Sequence, residues 1–245
     1  KAWTNSNIQI AVKIQRPGIR KIIETDLEIM LHIASIMENN IEEVAFFKPV
    51  KIVEEFAKTL AKELDFSIEA SNMERMAEQF KDDKTIHIPK VYFDESSVRV
   101  LSMEYIRGIK ADDVDAIKLA GLDTKLITRR GADFYMKQVF EHGFFHADPH
   151  PGNIFILSNN VICFLDFGMM GRIRRDERED FTDFVTSLAG KNERKITESV
   201  LRLSVYDREP DRERLERDLT DLLEEQVYGR RGKLEMGRLF QKLIE

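Results

Sequence analysis

The residues best suited to chemistry lie in one short segment, HADPHPGN, at residues 146–153. Two prolines and a glycine within eight residues exclude a helix interior or a central strand, so we predict a rigid loop. The loop follows a predicted helix at residues 125–142 and precedes a predicted β-hairpin. Rigid loops held between regular elements are common positions for catalytic groups. Asp148 and Asn153 are therefore candidates for proton transfer and metal binding.

The spacing of these two residues indicates a particular chemistry. Four residues separate Asp148 from Asn153, as in the D-x-x-x-x-N catalytic loop of kinases. In that loop the aspartate orients and deprotonates the attacking hydroxyl, and the asparagine amide oxygen binds magnesium. Asp148 is thus the candidate catalytic residue and Asn153 a candidate metal ligand.

A second acidic motif, Asp-Phe-Gly at residues 166–168, begins thirteen positions after Asn153. Apolar runs at residues 154–157 and 161–165 predict a β-hairpin between the two motifs. Such a hairpin places Asn153 at its entry and Asp166 at its exit, hence on the same edge. Magnesium prefers hard oxygen ligands and neutralises the phosphates of ATP before a γ-phosphoryl group leaves. We therefore expect ATP and Mg2+ as cofactors, with Asn153 and Asp166 as the metal ligands.

Lys13 lies in a β-forming run, Ala-Val-Lys-Ile, that resembles the kinase strand whose lysine holds the α- and β-phosphates. On its own this signal is weak, because lysines on edge strands are common. Such a lysine also needs a carboxylate partner from a helix. The local candidates are Glu63, Asp65 and Glu69, and the last two share one face if the segment is helical.

The run LSMEYIRG at residues 101–108 is a predicted strand that ends at a glycine. This pattern is typical of a hinge between two lobes, whose backbone groups can pair with adenine. Glu104 and Ile106 are the candidate nucleotide-binding residues of that hinge. The lysine run, hinge, loop and Asp-Phe-Gly motif occur in the order found in kinases.

The predicted elements favour an α+β, bilobal, protein-kinase-like fold. The first lobe, residues 1–105, contains strands and a helical insert, and the second, residues 106–245, is mostly helical. Predicted strands lie at residues 8–14, 90–93 and 98–104. Predicted helices lie at residues 19–37, from residue 49 onward, and at 66–80, 181–188, 196–203 and 215–227.

Composition narrows the class of protein. The chain has 245 residues, 42% hydrophobic and 33% charged, with a formal net charge of -6, so nothing favours a nucleic-acid partner. Cys163 is the single cysteine, which excludes an internal disulfide and favours a reducing compartment. The residues contain neither a signal-peptide pattern nor a transmembrane run.

Because the chain begins in a strand and stops in a predicted helix, we expect a domain of a longer protein. We expect it to be cytoplasmic or membrane-peripheral, with any membrane association through segments outside this chain.

These motifs together resemble the UbiB family of atypical kinase-like proteins, implicated in the biosynthesis of ubiquinone and related isoprenoid lipids. The resemblance covers nearly the whole chain. It is most specific in AVKIQRPG (residues 11–18), ELDFSIEASN (63–72), HADPHPGN (146–153) and LDFG (165–168). It implies an ATP-dependent kinase or ATPase whose partners include a nucleotide and an isoprenoid lipid precursor or lipid-biosynthesis proteins.

The resemblance also assigns roles to individual residues. Lys13 is the implied phosphate-binding lysine and Glu69 its helix partner. Glu63 and Asp65 form an E-x-D signature and are implied cofactor-binding residues. It gives Asp148 the catalytic role and makes Asn153 and Asp166 the metal ligands. Residues 19–62 correspond to the family's helical insert. One feature departs from the family pattern, because the upstream K-x-G-Q segment is absent. No A-P-E motif or activation segment follows Gly168, as is typical of this family, which argues against ordinary protein substrates.

Other interpretations stay open at this level. HADPHPGN can be a purely structural loop, or His146, Asp148 and His150 can be zinc ligands, although they are few and poorly spaced. Lys13 and the three acidic residues can be ordinary surface charges. As alternatives to an enzyme of this family, we weigh a catalytically weak nucleotide-binding scaffold and a small-molecule kinase of the choline or aminoglycoside type. The presence of Lys13, Asp148, Asn153 and Asp166 together favours turnover.

Overall fold

The computed structural model describes residues 1–4, 6–204, 206 and 210–226, with the backbone alone for residues 189 and 224–226. The chain forms two compact units, residues 1–171 and 172–245. The predicted lobe boundary at residues 105 and 106 stays a prediction.

The described strands are short. In chain order they are β1 (Ala2–Trp3), β2 (Gln9–Ile14), β3 (Ile86–His87), β4 (Val100–Glu104), β5 (Ile109–Lys110), β6 (Phe144–His146), β7 (Ile154–Ile156), β8 (Ile162–Phe164) and β9 (Met170–Arg172). The described helices are α1 (Ile19–Asn40), α2 (Glu42–Ala45), α3 (Pro49–Glu63), α4 (Phe66–Gln79), α5 (Val114–Leu119), α6 (Thr124–Met136), α7 (Arg175–Ala189), α8 (Glu193–Leu203) and α9 (Arg212–Gln226). Helix α6 continues as a π-helical turn at Lys137–His142.

The first sheet carries the candidate phosphate-binding lysine. Its strand order is β1-β2-β4, and both pairs are antiparallel. Lys13 pairs in register with Leu101, and Ile10 pairs with Glu104. Along this strand Ile10 is buried and Ile14 exposed. The sheet therefore fixes the position of Lys13 relative to the predicted hinge at the end of β4.

Helix α4 buries one of its faces in the core of the first unit. Asp65 caps its N-terminus, because the Asp65 Oδ1 accepts the Ser67 N–H at 2.9 Å. One face buries Ala70, Met73 and Met76 in the main core. The same core contains Leu101, Phe144, Ile156 and Phe167. It therefore ties α4 to both the strands and the predicted site loops.

A second sheet, of order β3-β8-β7-β5, positions the predicted metal ligands. The hairpin predicted from the apolar runs is confirmed as β7 and β8, with Ile154 opposite Phe164. Gly108 lies where the chain enters β5. A Cβ there would be 2.8 Å from the Leu157 side chain and 2.9 Å from the Ile156 carbonyl oxygen. Only glycine allows this close approach of backbone at the predicted hinge.

Some predicted elements need correction. The strand predicted at residues 90–93 is wrong, because only Val91 forms a bridge, to Met103, and Phe93–Glu95 is a 3₁₀ helix. A strand occurs instead at β3, which ends before Pro89. Proline has no N–H to donate to a neighbouring strand, so it disfavours an extension of β3. Helices at 19–37, 66–80, 181–188 and 196–203, and the helix from Pro49, are confirmed with small changes in their ends. The helix predicted at 215–227 is α9, and its last position lies outside the described residues.

The second unit contains α7, α8 and α9. Its core includes Phe184, Leu188, Ile196 and Leu223. Arg202 of α8 donates to Asp180 at 2.6 Å and to Asp183 at 3.3 Å on α7. Within the portion of the chain that the structure describes, no helix combines the length and hydropathy needed to cross a membrane.

Candidate functional site

Lys13 and Glu69 form an ion pair at the centre of the candidate site. The Lys13 Nζ lies 2.9 Å from each carboxylate oxygen of Glu69. Strand β2 presents the lysine, and the first turn of α4 presents the glutamate, whose side chain is 4% exposed. Of the three acidic candidates for this partner, the structure brings Glu69 to Lys13, while Asp65 caps the helix.

Asp166 joins the same pair from the second sheet. Its Oδ2 lies 3.4 Å from the Lys13 Nζ, and its Oδ1 accepts the Gly168 N–H at 3.0 Å. The next residue, Phe167, is fully buried and donates its N–H to the Glu69 Oε1 at 3.3 Å. Asn72 of α4 donates its side-chain amide to the Phe167 carbonyl at 2.9 Å. Helix α4 therefore holds both the lysine and the Asp-Phe-Gly segment.

Glu63, the last residue of α3, lies over the Asp-Phe-Gly segment. A Cβ at position 168 would be 2.7 Å from the Glu63 Oε2, so a larger residue there would require this carboxylate to shift. Burial raises the pKa of Glu63, and the nearby charges of Asp166 and Glu69 raise it further. Glu69 and Asp166 thus contact the Lys13 ammonium, and Glu63 lies near enough to interact with its charge.

The electrostatics of the Lys13 pair follow from this crowding. Burial lowers the pKa of Lys13, but attraction and hydrogen bonds from Glu69 and Asp166 outweigh it, so the net pKa is raised. Burial raises the pKa of Glu69, with Lys13 acting in the opposite direction. With Glu63, Glu69 and Asp166 ionised, the cluster carries three negative charges against one positive, a surplus that a divalent cation can neutralise.

His146 connects the candidate catalytic loop to the Asp-Phe-Gly segment. Its Nε2 contacts the Asp166 carbonyl oxygen, which can only accept, so Nε2 carries the proton. Its Nδ1 then accepts the Asp148 N–H at 3.2 Å. Burial lowers the pKa of His146, with Asp166 and Asp148 opposing the shift. A neutral imidazole satisfies both contacts at once.

The zinc alternative gains no support from this geometry. Both nitrogens of His146 serve the protein backbone, and the His150 Nδ1 accepts the Gly152 N–H at 3.1 Å. Among the described residues, no group of three or more His, Cys, Asp or Glu side chains is arranged to hold a metal ion. A magnesium ion needs fewer protein ligands than zinc, because one or two carboxylates together with phosphate and water oxygens are enough.

Asn153 lies at the entry of the hairpin, as the apolar runs predict. Its carbonyl oxygen accepts the Leu165 N–H at 2.9 Å, one residue before Asp166. A 3₁₀ turn at Pro151–Asn153 leads directly into β7. Asn153 and Asp166 therefore belong to the same edge of one hairpin. Asp148 is exposed at the start of the same loop.

The predicted hinge residues lie apart from the lysine cluster. Glu104 is three positions along β4 from Leu101, the partner of Lys13, a distance of about 10 Å. Its carboxylate pairs with the His87 Nε2 at 2.9 Å and accepts the Lys90 N–H at 3.2 Å. Ile106 follows the strand and is half-buried. No hydrogen bond between described residues joins Glu104 or Ile106 to Lys13, Glu69 or Asp166, and their nucleotide-binding role stays a prediction.

The single cysteine does not contribute a reactive group. Cys163 on β8 is buried, and burial together with the charge of Glu104 raises its pKa to about 12. A thiol with that pKa has little thiolate at neutral pH.

Sequence reasoning misses three residues that hold the site together. It marks His146 only as a possible zinc ligand, and it singles out neither Asn72 nor Gln138. Gln138 is buried in the π-helical turn, and its Oε1 accepts the His146 N–H at 2.8 Å. A polar residue in a helical pattern ordinarily indicates an exposed face, so the sequence offers little signal for either amide.

A lysine strand, a buried helix glutamate and an Asp-Phe-Gly segment in contact define a kinase-like site. Residues 1–200 match the model of the ABC1 atypical kinase-like domain, and the chain belongs to this family. The protein ACTIVITY OF BC1 COMPLEX KINASE 7, chloroplastic, of Arabidopsis thaliana is 34% identical over 203 residues, covering 83% of this chain and 29% of the plant protein. A probable protein kinase UbiB of Aliivibrio fischeri (strain ATCC 700601 / ES114) is 36% identical over 178 residues, covering 71% and 33%. The chain thus spans about a third of the length of these relatives.

Solved structures support the same fold. The complex of Rv3197 with erythromycin from Mycobacterium tuberculosis has a TM-score of 0.67 and 20% sequence identity, covering 91% of this chain and 55% of that one. The expected resemblance to UbiB proteins and the kinase-like α+β fold are both confirmed.

Proposed function

We propose that this chain binds Mg–ATP and transfers or hydrolyses the γ-phosphoryl group. The observation that carries the proposal is the contact of Lys13 with both Glu69 and Asp166, at 2.9 and 3.4 Å. An active kinase site needs the lysine–glutamate pair and the metal-binding aspartate in place together. The alternative of ordinary surface charges does not account for a glutamate that is 4% exposed at this pair.

The residues present fit a magnesium ion. The surplus of carboxylates over ammonium groups around Lys13 favours a divalent cation, as does an amide at the entry of the same hairpin. In the proposed site, Asp166 and Asn153 hold the metal, and Lys13 holds the α- and β-phosphates. The metal supplies charge neutralisation on the leaving phosphates.

Asp148 is the proposed general base. Its carboxylate is exposed, while its backbone N–H is fixed by the buried His146 ring. In this proposal the loop backbone is held at Asp148, while the side chain stays exposed to an incoming hydroxyl or water. Glu104 and Ile106 are the proposed adenine contacts, and Glu63 adds negative charge beside the metal ligands.

The names of the relatives suggest the substrate class. Several are named probable protein kinase UbiB, and we propose a link to the biosynthesis of ubiquinone or another isoprenoid lipid. The proposed partners are a nucleotide and an isoprenoid precursor or lipid-biosynthesis protein, at a membrane-peripheral or cytoplasmic location on a reducing side. Membrane association would come through segments outside this chain.

The test is ATP turnover by the full-length protein, with and without magnesium and with an isoprenoid-like phenol in detergent. The proposal predicts release of phosphate, or its transfer, only when magnesium is present. Binding of Mg–ATP without any turnover would instead favour the nucleotide-binding scaffold. Neither binding nor turnover under any of these conditions would refute the proposal.

A further inference from the structure

Gln138 is a fully buried polar side chain beside the candidate site, at 1% exposure. It lies in the π-helical turn Lys137–His142, which continues α6. Glutamine is rarely buried to this degree unless it is paired. Single-turn π-helices of this kind also concentrate at functional positions.

The hydrogen bonds of Gln138 define the orientation of its side-chain amide and connect the helix to the loop. Its Oε1 accepts the His146 N–H at 2.8 Å, and a backbone N–H is always a donor, so this contact fixes the orientation of the amide. Its backbone carbonyl accepts the Gly143 N–H, which closes the π turn. One residue thus anchors the end of the helix through its backbone and the start of the loop through its side chain.

The amide nitrogen of Gln138, unlike its oxygen, does not connect the helix to the loop. Nε2 of Gln138 is buried and finds no hydrogen-bond partner among the described residues. Burying an unpaired N–H donor costs stability, and an apolar side chain of the same length would avoid that cost. The unpaired Nε2 therefore disfavours a glutamine at this position, and the bond from the buried His146 N–H to Oε1 is the contact that favours it.

The position held by Gln138 matters because of what His146 does. The His146 ring bridges the Asp148 N–H and the Asp166 carbonyl oxygen. The Gln138 bond fixes the backbone from which this ring projects. A displacement of that backbone would therefore move the loop aspartate and the Asp-Phe-Gly segment relative to each other.

We propose that Gln138 is a positioning residue, which sets the His146 ring and thereby the spacing between Asp148 and Asp166. The inference rests on the proposed function of the same site. Its effect is on turnover, because misplacement by about 1 Å far from the chemistry can lower a rate by about 100-fold.

Three variants of the full-length protein distinguish a role of Gln138 in positioning the His146 ring from a role in stabilising the fold alone. Gln138→Leu removes the acceptor at similar volume, and Gln138→Glu keeps an acceptor oxygen for the His146 N–H. Gln79→Leu is the matched control, because Gln79 at the end of α4 also has an unpartnered buried oxygen among the described residues but makes no side-chain bond to the loop there. The readouts are Tm, kcat and KM for ATP, and the ¹⁵N spectrum of the His146 ring.

Gln138→Leu leaves the buried His146 N–H without its acceptor, so a fall in Tm is expected as well. Measured well below that Tm, kcat should be at least about tenfold lower, and the His146 ring is expected to lose its single Nε2-protonated form. Gln138→Glu should recover most of the rate, and Gln79→Leu should behave as wild type. A wild-type kcat and an unchanged ring spectrum in Gln138→Leu would overturn the inference. An equal loss of rate in Gln79→Leu, or a loss of rate in Gln138→Leu that disappears when kcat is measured well below its Tm, would overturn it too. If the wild-type protein has no turnover, the proposed function fails, and the ring spectrum still decides the role of Gln138.

Discussion

The ammonium of Lys13 and the carboxylate of Glu69 meet at 2.9 Å although 56 positions separate them in the sequence. The same carboxylate accepts the N–H of Phe167, and the same ammonium contacts Asp166. Three distant segments of the chain are thus held at one point by side chains of opposite charge. This arrangement is the structural basis for the proposed nucleotide chemistry.

Removing Lys13 is expected to destabilise the protein as well as to abolish turnover. Lys13→Met leaves Glu69 buried without its cation, and we expect a loss of about 1–3 kcal/mol, less than for a fully buried pair because Lys13 is partly exposed. Adding Glu69→Gln should restore much of that stability, which a double-mutant cycle of urea unfolding measures. Lys58→Met, in an exposed pair with Glu55, is the control and should change stability far less than Lys13→Met does, because solvent screens an exposed pair. Additive effects at Lys13 and Glu69 would show that the pair is not coupled.

Gly168→Ala is expected to disturb the Asp-Phe-Gly segment through Glu63. The new Cβ would lie 2.7 Å from the Glu63 Oε2, so one of the two residues must move. We expect a lower Tm for Gly168→Ala and partial recovery when Glu63→Ala is added, since the smaller side chain vacates the space. Thermal unfolding of the two single variants and the double variant measures this. No recovery in the double variant would mean that the Glu63 carboxylate is not what limits the side chain at position 168.

Asp148→Asn is expected to separate binding from chemistry. The substitution keeps the loop backbone, and therefore the bond from its N–H to His146, while it removes the general base. Affinity for Mg–ATP should stay near wild type and turnover should fall by about 100-fold, the usual scale for a lost base. Equilibrium binding and steady-state kinetics on the same preparation check both parts. Unchanged turnover would exclude the catalytic role.

Asp83 gives the fold a dependence on pH that is separate from the site. Burial opposes its charge, but hydrogen bonds from Thr85 and Lys137 outweigh burial and lower its pKa below the ordinary 3.8. The folded pKa is depressed, so the stabilisation is present above about pH 4 and is lost as the pH falls through the folded pKa. Asp83→Asn should therefore cost about 1–2 kcal/mol at pH 7, and the cost should shrink as the pH falls through the folded pKa. Urea unfolding over a series of pH values from 7 into the acid range tests this, with the exposed neighbour variant Asp82→Asn as the control. A cost that does not change with pH would show that the charge of Asp83 is not responsible.

The sequence predicts the parts of the site that follow from local rules. Proline and glycine mark the loop, and apolar runs around Ser-Asn-Asn mark the hairpin, so the shared edge of Asn153 and Asp166 follows. Helices with a clear apolar stripe, such as α1 and α4, are also predictable. Strands of two or three residues, such as β3 and β5, are too short for an alternating pattern to show.

Long-range side-chain contacts are not predictable in the same way. The choice of Glu69 over Asp65 as the contact of Lys13 depends on where α4 begins, and Asp65 is used as its cap. The bonds of His146 and Gln138 depend on tertiary packing and on a π turn that changes which residues of α6 face the loop. The 3.6-residue period of apolar residues, which predicts an α-helix, does not reveal a π turn.

The most direct test of the central claim is the rise in Tm on adding ATP with and without magnesium, for the wild-type protein and for Asp166→Asn. A ligand at about 100 times its Kd stabilises the native state by about 2.7 kcal/mol, which for a chain of this size raises Tm by several degrees. We predict that rise in the wild type only when ATP and magnesium are both present, and none in Asp166→Asn. An equal rise in the variant, or a rise that does not require magnesium, would contradict the assignment of Asp166 to the metal.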